Sequence, residues 1–128
     1  MKIQKSIAKR IEKTCKLKPV IATPFFQNGY EHVTNTFYAV RVPVVGVQTI
    51  TDRPDTPIMS VVYNQNQSKE EGMRFDIQYL REVLTILEDN GAKYVDLYRG
   101  ERALVLKGYN NSLGQINTGD AVIMKVNK

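Results

Sequence analysis

RFDIQYLREVLTILEDNGAKYVDLYRGERALVLKG, residues 74–108, places a helix and a hairpin in direct succession. Ile77, Leu80, Leu84 and Leu87 recur at three- and four-residue intervals with Val83 beside them, so one apolar stripe runs along 75–89. Asp76 stands where a side-chain oxygen accepts the orphan amides of a first turn, and Asn90-Gly91 where a left-handed residue stops a helix. The period then changes to two. KYVDLYR alternates, Arg99-Gly100-Glu101 turns, and RALVLKG returns. The expected core contacts of the helix are Leu80, Val83, Leu84 and Leu87. Its expected exposed face is Gln78, Arg81, Glu82, Thr85, Glu88 and Asp89, which is net negative.

Outward from this stretch the pattern repeats. Downstream, a polar loop at 109–119 leads to AVIMKV, 121–126, a closing strand. Upstream, IMSVVY, 58–63, reads as a strand, followed by a polar loop at 64–72. FYAVRV, 37–42, is a strand stopped by Pro43, and 43–57 is a proline-containing connection whose VVGVQTI offers one more strand. Asn28-Gly29 between VIATPFF and YEHV is a hairpin signal, because both turn residues need positive φ. Pro24 marks the first of those runs as an edge or a bulge. KSIAKRIEKTCKL, 5–17, is an amphipathic helix with Ile7, Ile11 and Cys15 inward, Ser6 as its N-cap and Pro19 closing it. MKIQ reads either as its first turn or as a short strand. The chain thus shows helix, strand, turn, strand, strand twice, in halves of about 1–57 and 58–128 of one domain. The expected class is α+β, with two amphipathic helices on one face of antiparallel sheet.

The 128 residues carry a formal charge of +5, a single cysteine and a single histidine. One cysteine excludes an internal disulfide and a Cys-based zinc site. No apolar run reaches the length of a membrane span, and no apolar stretch follows the basic start, so a cytoplasmic protein is expected. The charge is uneven. Residues 1–20 hold seven basic side chains and one acid, while the remainder sums to −1. At about 100° per residue Lys5, Lys9, Lys13 and Lys16 gather opposite Ile7 and Ile11, and Lys2 joins them if the helix starts at the terminus. One basic element on an otherwise balanced chain points to an anionic partner; the plainer reading is a solvated helix face.

RFDIQYLREVLTILEDNGAKYVDLYRGERALVLKGYN and DAVIMKV together resemble the second half of a DNA sliding-clamp domain. HVTNTFYAVRV is similar to the strand of that family's first half, with Asn35 where aspartate is usual. The resemblance covers most of the chain and implies a clamp-like domain whose two helices line a ring around duplex DNA, with the sheet outside. Such a protein does no chemistry. It tethers replication enzymes by topology, and its DNA contacts are weak and independent of sequence. The residues matching that role are Lys2, Lys5, Lys9, Lys13 and Lys16. Family chains carry two or three such domains and this one carries one, so a closed ring requires six copies, hence a homo-oligomer. The small size points to a phage or other mobile element. The acidic face of the second helix has the wrong sign for a DNA channel, which keeps open an adaptor that binds a protein partner and no DNA.

Nothing in the sequence marks an enzyme. There is no phosphate-binding glycine loop, nucleophile elbow or metal-ligand cluster, and neither a cofactor nor a metal is expected. His32 reads as structural and Cys15 as a small core residue. Asp52 and Asp55, like Glu70-Glu71, read as solvated loop acids. The strand tyrosines Tyr30, Tyr38, Tyr63, Tyr94 and Tyr98 read as packing residues, with a stacking platform for single-stranded nucleic acid as the sharper alternative.

Overall fold

Asn28 and Gly29 both take positive φ, 52° and 80°, and the residues flanking them, Gln27 and Tyr30, pair across an antiparallel hairpin. The two-residue turn therefore joins β1 (Phe25–Gln27) to β2 (Tyr30–Thr34) as its sequence dictates. The computed structural model describes residues 1–16, 21–44, 58–64 and 72–126. Asp52, Asp55, residues 45–50 of the VVGVQTI stretch, Glu70-Glu71 and Pro19 lie outside the described residues. The remaining elements are α1 (Lys5–Thr14), β3 (Tyr38–Pro43), α2 (Met59–Tyr63), α3 (Ile77–Asp89), β4 (Tyr94–Arg99), β5 (Ala103–Tyr109) and β6 (Asn117–Met124). The class is α+β: among the described residues there are three helices and one antiparallel sheet in the order β1-β2-β3-β6-β5-β4. Each half supplies a meander of three strands, and the meanders join where Tyr38–Arg41 of β3 pair with Ile123–Asp120 of β6. Pro24 immediately precedes β1, an edge strand, where a missing amide leaves no ladder bond unmade.

Strand alternation sends Val33, Val40, Leu106, Ala121 and Ile123 to one face, where Ile7 and Ile11 of α1 and Val83, Ile86 and Leu87 of α3 cover them. Both long helices thus share a face. They run antiparallel, because Arg10 meets Glu82, Gln4 meets Asp89 and Lys2 meets Asn90. Asp76 caps α3 by accepting from the amides of Gln78 and Tyr79, and Gly91, at φ 109°, ends the helix in the left-handed region. The opposite face holds Phe25, Ala39, Val105 and Val122 under Met59 and Tyr63 of α2.

Five expectations are corrected. IMSVVY is not a strand: Met59 and Tyr63 are buried while Val61, which a strand would send to the same face as both, is 66% exposed, as a helical turn requires. Strand propensity of the two valines yields to that tertiary fit. Leu84 is not core. It is 40% exposed, because the buried arc of α3 is centred on Val83, Ile86 and Leu87, and Leu84 lies about 100° around from Val83. Glu82, expected on the outer face, is buried on the opposite flank, where α1 approaches. The N-cap of α1 is Gln4 and makes no side-chain cap bond, so Ser6 falls inside the helix. Residues 1–4 form no strand; the Asn90 side chain clasps the backbone N–H and C=O of Lys2, at 2.8 Å each.

Candidate nucleic-acid interface

Burying Ile7, Ile11 and Cys15 fixes the rotation of α1, and that rotation sends the lysines outward. Lys5, Lys9 and Lys13 lie on the helix, Lys2 just before it and Lys16 in the turn after it. All five are exposed, and no ion pair among the described residues engages them. From Lys5 to Lys13 the row extends about 12 Å along the axis. The helix therefore puts Lys5, Lys9 and Lys13 on one face, with Lys2 and Lys16 exposed beyond its two ends.

The neighbouring helix is less hostile to an anion than its sequence indicates. Glu82 is 4% exposed, and both its oxygens are engaged: Arg10 Nε donates to Oε1, and the Tyr38 hydroxyl donates to Oε2 at 2.8 Å. Burial and the Glu82 carboxylate raise the Tyr38 hydroxyl well above its ordinary pKa, so it stays a donor. Asp89 accepts from Gln4 Nε2 at 3.0 Å. Residues 1–16 and 77–89 together carry seven basic and four acidic side chains, a net +3. Arg10 and Arg81 belong to this surface, and sequence reasoning missed both. They line, with Gln4, Gln78 and Thr85, a groove of about 260 Å³ between α1 and α3. No local signal marks the Arg10–Glu82 pair, whose members are 72 positions apart.

The other residues weighed from sequence have structural surroundings. His32 is buried, stacks on Phe25 at 5.4 Å and has Nε2 3.2 Å from the Gln27 carbonyl, while Nδ1 has no partner. Burial, with a lesser contribution from the nearby Arg41, lowers its pKa to about 4 despite the Gln27 bond. Arg41 lies 4.2 Å from the rings of both Tyr30 and Tyr63 and pairs with Asp120 at 2.9 Å. Those rings, with the buried Tyr38, are thus occupied; Tyr94 and Tyr98 are exposed, and Lys107 lies 5.3 Å from the Tyr98 ring. The Cys15 thiol is buried, and burial raises its pKa.

A second surface lies on the α2 side. A groove of about 400 Å³ is lined by Phe37, Met59, Val61, Val62 and Met124, with Arg102 the one charged side chain among its described lining residues. Phe37, Val61 and Met124 are exposed. Among the described residues no cluster of three or more metal-ligating side chains occurs, and no helix is long and apolar enough to cross a membrane. No family model, no curated protein and no solved structure matches the chain.

Proposed function

We propose that this chain is a non-enzymatic, clamp-like DNA-binding protein acting in DNA replication or processing. In this reading α1 and α3 face the duplex, and Lys2, Lys5, Lys9, Lys13 and Lys16 meet phosphates as mobile point charges. The observation that carries the reading is the exposed, unpaired lysine row on a helix that lies beside its counterpart on one sheet face. The doubled order of helix and three strands, mirrored about the β3–β6 seam, supports the clamp-like plan. Contacts of this kind carry no sequence information, so affinity comes from counterion release and is independent of base sequence. The test is fluorescence anisotropy with a labelled duplex at low salt. Wild type is expected to bind two unrelated duplexes equally. Lys9→Glu with Lys13→Glu is expected to abolish binding while circular dichroism stays unchanged, since both residues are exposed and opposite the buried stripe. No binding by wild type removes the DNA role.

The apolar groove at α2 favours a second reading, an adaptor that binds a protein partner and no DNA. An exposed apolar surface of this kind usually marks an interaction site. Replication proteins are the partners compatible with the first reading, so the groove also has a place there.

A further inference from the structure

We propose that the groove between α1 and α3 is a seat for one phosphate group, gripped by Arg10 and Arg81. The proposal extends the duplex reading and rests on it for a phosphodiester, though not for free phosphate. Arg10 differs physically from the lysine row. Its Nε–H is committed to Glu82, which is itself buried and held from below by the Tyr38 hydroxyl, a residue 2% exposed. The chain Tyr38–Glu82–Arg10 fixes the guanidinium plane and leaves its terminal N–H groups free to face the groove. A buried carboxylate beneath a half-exposed arginine is costly to hold in place unless its lone pairs are satisfied, and here each oxygen has a donor. Arg81 lines the same groove and has no ion pair among the described residues. Glu82 cancels one of the two arginine charges, so the groove carries a net positive charge suited to a monoanion. The Gln78 amide and the second N–H of the Gln4 amide supply neutral donors at the rim. Planar forks of this kind recognise phosphate bidentately, which a lysine cannot do. The seat therefore gives the interface one fixed contact among several mobile ones, and a phosphate held there sets the register of the protein on its ligand.

The experiment titrates isotope-labelled protein with sodium phosphate, against sodium chloride at matched ionic strength, and then with a short duplex. Nuclear magnetic resonance follows the side-chain amides of Gln4 and Gln78 and the Arg10 Nε–H. Saturable shifts with phosphate and none with chloride are expected, and the same resonances are expected to move with the duplex. Arg81→Gln and Arg10→Lys should each weaken phosphate about tenfold, the loss of one charge-assisted fork. Lys9→Glu should weaken the duplex and leave phosphate unchanged. Arg81 is exposed with no ion pair among the described residues, and Arg10→Lys keeps a cation beside Glu82, so the readout does not depend on one variant folding. Equal responses to phosphate and chloride, or unchanged phosphate affinity in Arg81→Gln, would overturn the seat. Phosphate binding at these resonances without duplex binding would keep the seat for free phosphate and remove the duplex reading. Duplex binding that leaves these resonances still would remove the seat and keep the lysine row.

Discussion

His32 and Leu84 show how strongly a single side chain depends on which way its backbone faces. His32 sits on β2 with its ring against Phe25 and Tyr63, and Arg41 faces it from β3 with Asp120 of β6 behind. Burial lowers its pKa from 6.5 to about 4, so the unfolded chain binds the proton more readily than the folded one. Stability is therefore lost as pH falls from about 6.5 towards 4, by on the order of 3 kcal/mol in full. Urea melts at pH 7 and pH 5 should show this loss in wild type, and His32→Gln should have a visibly shallower pH dependence. Equal slopes in the two proteins would place the proton uptake elsewhere. On α3 the contrast is steric. Leu87→Ala should cost about 2–5 kcal/mol, because Leu87 is buried against the sheet, whereas Leu84→Ala should cost about 1 kcal/mol or less. Comparable losses in denaturant melts would mean that the buried arc of α3 is centred elsewhere.

Elements with explicit local punctuation are legible in the sequence. Asn28-Gly29, Asp76 and Asn90-Gly91 each force one backbone conformation, and the hairpin, helix start and helix stop they imply are all present. Asp76→Ala should cost α3 about 1 kcal/mol, since two amides lose their acceptor; thermal denaturation measures it, and an unchanged midpoint would contradict the cap. What was not legible depended on tertiary partners. Val61 and Val62 favour a strand, yet the hollow over Ala39, Val105 and Val122 is filled by Met59 and Tyr63 one helical turn apart. The apolar period alone puts the stripe of α3 through its leucines, but the helix rolls so that Glu82 reaches Arg10 and Tyr38 while Ile77 and Leu84 turn towards solvent. The lysine row was readable because it follows from the helical period alone. The arginines were not, because their role depends on two helices far apart in sequence lying antiparallel, with Arg10 and Glu82 72 positions apart.

At the scale of the molecule, the placement of charge and apolar surface sets two faces apart. The α1–α3 face is polar and net positive, while the α2 side carries the apolar groove with Arg102 at its edge. A ring built from one clamp-like domain per chain needs several copies, so sedimentation should show an oligomer, stable or induced by duplex. A monomer at every concentration with duplex present would favour the adaptor reading instead. The measurement that tests the central claim most directly is the salt dependence of duplex affinity, read by anisotropy for wild type and for the Lys9→Glu, Lys13→Glu variant. With three to five lysines on phosphates, log K should fall against log salt with a slope of roughly −3 to −4.5, because each contact contributes about 0.9. The variant should lose binding at every salt concentration. A flat slope, or equal binding by the variant, would contradict the account.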